Sequence, residues 1–147
     1  MSPNLKAFLD MIALSEGTKG YGDDGYNVLV GRTLFQGYAD HPRVLVNLRP
    51  GLASTAAGRY QLLARYFDVY KKQLNLSDFG HDAQDAIAIQ QIKECKALPD
   101  IEAGYIDVAI AKCAHIWASL PGAGYGQHEN NSGLLISAYR HFGGSVA

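Results

Sequence analysis

Glu16 is the first candidate for acid–base chemistry in this sequence. It follows a segment with helically spaced apolar residues and precedes Gly17, so its carboxyl group is predicted to lie at the C-terminal end of a helix. The negative end of the helix dipole disfavours an ionised carboxylate there, and burial among apolar neighbours raises a carboxyl pKa further. A carboxylic acid that stays protonated near neutral pH can protonate a leaving oxygen. A solvated residue at a helix end is the alternative explanation, and position alone favours it.

A second candidate cluster runs from residue 54 to residue 61 and suits a polyhydroxylated ligand. Ser54 and Thr55 are small and polar, Gly58 lets a sugar approach the backbone, and Gln61 beside Tyr60 offers both a donor and an acceptor. A loop that leads into a helix capped by Ser54 or Thr55 explains the same residues equally well. The cluster by itself therefore leaves both interpretations open.

A third cluster, over residues 117–127, places Trp117, Tyr125 and Gln127 among glycines. Aromatic rings and an amide suit stacking on sugar faces, although a single tryptophan is more often part of the core. No pattern indicates a cofactor or a metal. The histidines form no HExxH motif, and Asp23-Asp24-Gly25 lacks the downstream ligands of a calcium loop and indicates a turn.

Several elements are predicted to position these residues. Leu5, Phe8, Leu9 and Ile12 define a helix over 4–15, with Asn4 as its N-cap. Residues 17–58 are rich in glycine around one strand over 26–30, which indicates a small β-hairpin or three-stranded sheet. Helical spacing returns over 59–74, 82–97, 105–119 and 133–142. The prediction is an α+β fold in one domain, 1–147: a small N-terminal β-lobe (about 17–58) packed against a larger helical lobe (about 59–147 plus the N-terminal helix), with a cleft between them.

Length and composition agree with a folded enzyme-sized domain. The chain has 147 residues, of which 48% are hydrophobic and 18% charged, so a disordered or fibrous protein is excluded. Thirteen Lys+Arg and fourteen Asp+Glu give a net charge of −1. This balance supplies no overall attraction to nucleic acid or to an anionic membrane. Apolar runs are too short to span a bilayer, and Asp10 and Glu16 interrupt any N-terminal signal-peptide core.

Taken together and in order, the clusters resemble the lambda-type phage endolysins, lytic transglycosylases of the lysozyme-like superfamily. The resemblance covers nearly the whole chain and weakens only in the last twenty residues or so. Its longest continuous stretch is the segment 116–127. It is carried by segments 6–11, 15–18, 25–26, 28, 30–31, 34–35, 40–43, 54–55, 57–63, 84–86, 90–94, 97–99 and 116–127.

The resemblance implies a lysozyme-like fold and a specific reaction on peptidoglycan. Glu16 is implied to be the sole catalytic acid/base at the bond between N-acetylmuramic acid and N-acetylglucosamine. The C6 hydroxyl of the same muramoyl residue then closes a 1,6-anhydro ring, so water is not a reactant. The groove along the glycan is implied to be lined by Tyr26, Ser54, Thr55, Gly58, Tyr60, Gln61, Tyr125 and Gln127.

The sequence departs from the family in the loop after Glu16. This loop, residues 18–25, is short and acidic where the family has a longer basic insertion, and Asn27 stands where the family has aspartate. Asp24 lies at about the separation from Glu16 that true phage lysozymes use for their second carboxylate. A hydrolytic muramidase that uses Glu16 and Asp24 is therefore one alternative. A non-catalytic module that binds the cell wall is another.

The sequence also leads to expectations about context. A phage endolysin with no signal peptide is expected to accumulate in the cytoplasm of the infected bacterium and to reach the wall through a membrane pore made by another protein. The expected partner is the glycan strand of peptidoglycan, and a monomer, no nucleic acid and no membrane insertion are expected.

Overall fold

In the computed structural model of the protein, residues 1–124 and 129–147 are described. Six helices and two strands lie in this part of the chain, in the order α1 (Pro3–Ser15), β1 (Val46–Arg49), β2 (Leu52–Ser54), α2 (Ala64–Gln73), α3 (His81–Glu94), α4 (Leu98–Ala103), α5 (Ile106–Cys113) and α6 (Ser132–His141). This combination confirms the predicted α+β class. Among the described residues, no helix has both the length and the apolar composition needed to cross a membrane.

The chain divides into two compact units. One consists of residues Met1–Glu16 and Ala88–Ala147, and the other of residues Gly17–Ile87. The β-lobe predicted over about 17–58 falls within the second unit, which also holds α2 and the first half of α3. The predicted cleft and the single-domain assignment stay predictions.

In the first unit, α1 packs against α4 and α6. The predicted apolar face of α1 is buried, and so are Ala7, Met11 and Ala13 on its other sides. The predicted cap, however, is wrong: the N-cap is Ser2, two residues before Asn4, and its hydroxyl accepts the backbone N–H of Leu5 at 3.1 Å. The Asn4 side chain instead donates to the Ile101 carbonyl at 3.0 Å and accepts the N–H of Ser145 at 3.0 Å. Asn4 therefore ties the start of the chain to two later segments.

The second unit contains a two-stranded antiparallel sheet in which Val46 pairs with Ser54 and Arg49 with Leu52. The strand predicted over 26–30 is not part of a sheet. Its residues form only isolated bridges, Val28 with Leu34 and Leu29 with Ala57. Glycines at positive φ on both sides (residues 25 and 31) end the extended backbone before a ladder can grow. The three-stranded alternative is therefore wrong.

The start of the predicted helix 59–74 is also wrong. Residues 57–62 form a tight turn in which Ala57 and Leu62 exchange backbone hydrogen bonds of 3.0 and 2.9 Å. Gln61 lies within this turn at φ 55°, a left-handed conformation that a helix cannot contain. The helix begins only at Ala64, whose N–H donates to Thr55 Oγ1 at 3.0 Å. The predicted helix over 105–119 is likewise shorter, since α5 ends at Cys113.

The core of the second unit is a cluster of aromatic and aliphatic side chains. Its buried members are Leu29, Phe35, Ala57, Leu62, Phe67, Tyr70, Phe79 and Ile87. Phe67 and Phe79 meet edge to face with ring centroids 5.1 Å apart. His41 lies against both rings, at 5.9 and 4.9 Å, and is 2% exposed.

Candidate active site

Glu16 lies at the C-terminus of α1, as predicted. Its backbone N–H donates to the Ile12 carbonyl at 2.8 Å, and the chain leaves the helix at Gly17, which has φ 79°. The left-handed conformation of Gly17 is one that residues with a Cβ adopt at a cost. The helix therefore ends at Glu16, and the carboxyl group is attached at the negative end of the helix dipole.

The Glu16 carboxyl group is half-buried and has one hydrogen-bond partner among the described residues. Ser119 donates its hydroxyl to Glu16 Oε2 at 2.5 Å. Burial raises the pKa of Glu16, and the hydrogen bond from Ser119 opposes this without cancelling it. The net effect holds the pKa above the ordinary value for glutamate. Glu16 is therefore not a fully solvated residue, and its role as a general acid stays a prediction.

Ser119 is itself held by two further polar side chains. Its Oγ lies 2.7 Å from Ser15 Oγ, and Asn130 Nδ2 donates to Ser15 Oγ at 2.9 Å and to the Ser15 carbonyl at 3.0 Å. The Asn130 N–H donates to the Ser119 carbonyl at 2.7 Å. Four residues from three separate parts of the sequence thus form one connected polar chain that ends on Glu16.

Asp24, the alternative second carboxylate, is bound on both oxygens. Oδ1 accepts the N–H of Gly20 at 2.7 Å and Lys19 Nζ at 3.3 Å, and Oδ2 accepts Arg59 Nη2 at 3.3 Å. Partial burial raises the pKa of Asp24, but the Gly20 hydrogen bond and the charges of Arg59 and Lys19 outweigh it and hold the pKa below its ordinary value. This arrangement closes the loop that follows Glu16 in sequence.

The two predicted site tyrosines of the second unit share one acceptor. Tyr60 OH donates to Asp85 Oδ1 at 2.6 Å, and Tyr26 OH donates to the same oxygen at 2.9 Å. Burial, followed by the neighbouring Asp85 charge, raises the pKa of Tyr26 to about 12. Arg59 Nη1 donates to Tyr60 OH at 3.0 Å, so the Asp24 and Asp85 carboxylates are joined through one guanidinium. Tyr60 is 5% exposed, and these contacts give it a packing role.

Gly58 and Gln61 also have structural explanations. A Cβ on Gly58 would lie 2.4 Å from Gln84 Oε1, so the glycine is required by the close approach of α3. Gln61 Nε2 donates to the carbonyls of Gly58 and Val28 at 2.9 and 3.2 Å. Both donor hydrogens of this amide are therefore used within the protein. Contact of these residues with a glycan stays a prediction.

Ser54 and Thr55 line an open pocket of about 450 Å³ on the second unit. Its other lining residues are Leu45, Ala53, Leu63, Ala64 and Arg65. The Ser54 hydroxyl accepts the N–H of Ala56 at 3.0 Å, so each of the two hydroxyls accepts one backbone hydrogen bond. Each hydroxyl keeps its hydrogen as a donor.

The third cluster is only partly within the described structure. Trp117 is 2% exposed and belongs to the core, which is the plainer of its two interpretations. Tyr125 and Gln127 lie outside the described residues. Ser119 lies within this cluster without a predicted role, and neither Asn130 nor Asp85 was predicted as a site residue. Their partners lie 103, 115 and 25 residues away, so no local pattern could have identified them.

Comparison with known proteins gives the class of this fold and then the family. The structure matches bacteriophage lambda lysozyme complexed with a chitohexasaccharide with a TM-score of 0.98 and 54% identity, over 100% of this chain and 98% of that one. A second structure, lysozyme from bacteriophage lambda, matches with a TM-score of 0.93 at the same identity and coverage. The fold is therefore lysozyme-like, as the resemblance implied.

The sequence comparisons agree. The family model for endolysins matches residues 6–146. The endolysin of Escherichia phage lambda is 57% identical over 145 residues, which are 96% of this chain and 92% of that protein. The endolysin of Escherichia phage P2 is 47% identical over 157 aligned positions, covering 98% and 95%. The chain belongs to the endolysin family.

Proposed function

We propose that this endolysin cleaves the β-1,4 bond between N-acetylmuramic acid and N-acetylglucosamine in bacterial peptidoglycan without water, leaves 1,6-anhydromuramic ends and so lyses the host cell. The observation that carries this proposal is the environment of Glu16, a half-buried carboxyl group with a raised pKa that accepts a hydrogen bond from the Ser119 hydroxyl. A raised pKa favours the protonated form of the carboxyl group, which the departure of a glycosidic oxygen requires.

The reaction needs two proton transfers at Glu16. The protonated carboxyl group donates its hydrogen to the glycosidic oxygen as the bond to the anomeric carbon breaks. The carboxylate then takes the proton from the C6 hydroxyl of the same muramoyl residue, whose oxygen bonds to the anomeric carbon. Glu16 ends in its starting state and no water is consumed. An intramolecular hydroxyl has a large effective concentration, so no second carboxylate is needed to position a nucleophile.

The contacts of Asp24 support a single-carboxylate reaction. A carboxylate that activates water must take up its proton, and the lowered pKa of Asp24 makes it a weaker base. Both oxygens of Asp24 already accept hydrogen bonds from Gly20, Lys19 and Arg59. We therefore assign Asp24 to closing its loop, and the muramidase with Glu16 and Asp24 becomes the alternative that the experiment below tests.

The glycan is proposed to be bound by polar and aromatic side chains from several segments of the chain. Ser54 and Thr55 offer hydroxyl donors at an open pocket, and Tyr125 and Gln127 remain assigned to the glycan. Tyr26, Gly58, Tyr60 and Gln61 are proposed to shape the wall, because hydrogen bonds and close packing fix their positions. The related lambda lysozyme was solved with a chitohexasaccharide, which supports an oligosaccharide ligand.

The proposed setting follows from the same function. The protein accumulates in the cytoplasm of the infected bacterium and passes to the wall through a pore formed by a separate protein. It acts as a monomer on peptidoglycan strands, binds no nucleic acid and needs no cofactor.

The test is mass spectrometry of the muropeptides released from purified peptidoglycan, before and after borohydride reduction. Fragments one water lighter than hydrolytic muropeptides and unchanged by borohydride are expected. Reducible muramic acid ends would instead establish a hydrolase. Glu16→Gln should release fragments about 10²–10⁴-fold more slowly, while the exposed control Glu94→Gln should behave as wild type. A wild-type protein that binds peptidoglycan without releasing fragments would identify the non-catalytic wall-binding module.

A further inference from the structure

The hydrogens of the polar chain on Glu16 have only one consistent direction when Glu16 is ionised. The Asn130 amide nitrogen can only donate, so Ser15 Oγ must accept from it. Ser119 has one hydroxyl hydrogen, which it gives to Glu16 Oε2. The remaining contact, between Ser15 Oγ and Ser119 Oγ at 2.7 Å, must then be a donation from Ser15 to Ser119. The chain runs Asn130 to Ser15 to Ser119 to Glu16.

A proton on Oε2 of Glu16 would disrupt this order. Oε2 would then donate to Ser119 Oγ, and Ser119 would have to turn its own hydrogen toward Ser15. Ser15 Oγ would accept from both Ser119 and Asn130, and its hydrogen would lose its partner in the chain. All three contacts survive the reversal, but the single direction in which each hydrogen bond strengthens the next is broken at Ser15. A proton on Oε1 leaves every bond of the chain in place.

We propose that Ser119, oriented by Ser15 and Asn130, is a positioning residue that keeps Glu16 Oε2 as an acceptor and thereby assigns the transferable proton to Oε1. This inference rests on the proposed role of Glu16 as the acid/base. Ser119 does not exchange protons with substrate. It fixes which oxygen does so and holds the carboxyl plane for the second proton transfer, back from the C6 hydroxyl.

The backbone supports the same arrangement. Ser15 is the last residue of α1 and directly precedes Glu16, so its side chain is placed by the helix that places the acid. The Asn130 N–H holds the Ser119 carbonyl at 2.7 Å, and the next residue, Asn131, caps α6 by accepting the N–H groups of Gly133 and Leu134. Within the described residues Glu16 has no ion pair, so the hydrogen bond from the Ser119 hydroxyl is the polar interaction that lowers the pKa of its carboxyl group.

The direct test is the titration of the Glu16 carboxyl carbon by NMR in protein labelled with ¹³C at glutamate carboxyls, with the resonance assigned from Glu16→Gln. Ser119→Ala removes a charge-assisted hydrogen bond, so the acid dissociation constant of Glu16 should fall by about tenfold. Ser15→Ala should lower it by a smaller factor, because Ser119 still donates. The exposed control Ser137→Ala should leave it unchanged, and Ser119→Thr, which keeps the hydroxyl, should restore it.

The double variant decides whether Ser15 acts through Ser119. Ser15→Ala combined with Ser119→Ala should titrate as Ser119→Ala alone, because the second change removes what the first one influences. Additive effects, or an unchanged titration in Ser119→Ala, would overturn the inference. The Ser→Ala changes each remove one oxygen atom, and Ser119→Thr keeps the oxygen and adds a methyl group. Circular dichroism checks that all variants are folded.

Activity distinguishes this inference from the proposed function. If Glu16→Gln is inactive, Ser119→Ala should lower kcat severalfold with little change in KM and move the alkaline limb of the pH profile to higher pH. An inactive Glu16→Gln with an unmoved profile in Ser119→Ala rejects the positioning role alone. A fully active Glu16→Gln rejects the proposed function, while the titration still reports on the hydrogen-bond chain.

Discussion

Arg59 holds Asp24 through both its backbone and its side chain. Arg59 Nε donates to the Asp24 carbonyl at 2.9 Å and Nη2 to Asp24 Oδ2 at 3.3 Å. The Arg59 side chain is only 4% exposed, whereas that of Asp24 is 45% exposed, so a buried cation is matched by a carboxylate at the surface. Asp24 itself has φ 46°, a left-handed conformation that these contacts maintain. The contacts between Arg59 and Asp24 therefore stabilise the loop that follows Glu16 in sequence.

Asp24→Asn should therefore weaken the loop without changing the reaction. The variant loses charge-assisted acceptors on a partly exposed group, so we expect a loss of about 1 kcal/mol in the free energy of unfolding. Urea denaturation measures this loss, with the exposed Asp82→Asn as control. The released muropeptides should keep 1,6-anhydro ends. Complete loss of activity in a folded Asp24→Asn protein would contradict the single-carboxylate reaction.

Glu16→Gln should separate activity from stability. Removing the acid/base should lower the rate of wall cleavage by about 10²–10⁴-fold or more. Because the folded pKa of Glu16 lies above its unfolded value, the stability it contributes is present below pH 4.5 and is lost as pH rises through the folded pKa. At pH 7 the unfolded chain ionises Glu16 more readily than the folded protein does, which costs stability, so the neutral amide should raise the melting temperature there.

Thermal denaturation at pH 7 and pH 4 measures the difference in melting temperature between Glu16→Gln and wild type. The increase in melting temperature should be smaller at pH 4, where the wild-type carboxyl group is also protonated in the folded state. Glu94→Gln, at an exposed position of α3, should show neither the loss of activity nor the gain. A Glu16→Gln protein less stable than wild type at pH 7 would argue against a buried, destabilising charge.

Periodicity predicted the helices where apolar spacing was regular, and it failed where single residues override it. Residues 59–63 follow a helical pattern, yet the turn that brings Gly58 against Gln84 forces Gln61 to positive φ. Ser2 and Asn4 are both good N-cap residues, and the choice between them depends on Ile101 and Ser145, which compete for the Asn4 amide. Such choices depend on distant contacts that local propensity does not contain.

At the candidate site, too, local sequence signals and distant contacts have to be distinguished. Glu16 could be proposed as the acid from the family resemblance, whereas its place before Gly17 alone favours a solvated residue. The serine and asparagine of its polar chain could not be proposed, because Ser119 and Asn130 reach Glu16 and Ser15 only after the helices of the first unit pack. Tyr60 and Gln61 have side chains typical of sugar binding, but the structure uses both for internal hydrogen bonds.

Gly58→Ala should destabilise the protein much more than Gly37→Ala. Both glycines have φ near +80° (84° and 81°), so alanine carries the same backbone strain of about 1 kcal/mol at each. At Gly58 the new Cβ would also lie 2.4 Å from Gln84 Oε1, while at Gly37 nothing lies within 4 Å. Overpacking adds about 2 kcal/mol at Gly58 alone.

Urea denaturation of the two variants isolates the packing part of this cost. The Gln84 amide holds three segments together, since it accepts the N–H of Arg59 at 2.9 Å and donates to the carbonyls of Tyr26 and Phe79. Gly58→Ala should therefore also loosen the tyrosine pair on Asp85. Equal losses in the two variants would mean that Gln84 moves aside freely, contrary to its 3% exposure.

His41 should make the protein less stable as pH falls below about 6.5, the pKa of an unfolded histidine. Its Nδ1 accepts the N–H of Arg43 at 3.0 Å, so Nε2 carries the hydrogen and donates to the Leu62 carbonyl at 2.8 Å. A second proton would have to sit on Nδ1, facing the Arg43 N–H. Burial lowers the pKa of His41, and although the Leu62 bond opposes this, the folded pKa stays below the unfolded one. The unfolded chain therefore binds a proton first, and stability is lost as pH falls from about 6.5 toward the folded pKa.

Glu16 acts in the opposite direction over part of the same range, so the measurement is made in the Glu16→Gln background. The urea concentration at the unfolding midpoint of that protein should decrease as the pH is lowered from 7 to 5. Adding His41→Gln should lower the midpoint at pH 7, because the ring packs against Phe67 and Phe79, but should flatten its pH dependence. The exposed His141→Gln should leave the slope as it was. Carboxylates with lowered pKa values, such as Asp40 and Asp68, respond only at lower pH and do not explain a change between pH 7 and pH 5. A pH dependence that persists without His41 would therefore assign the acid sensitivity to a group other than His41.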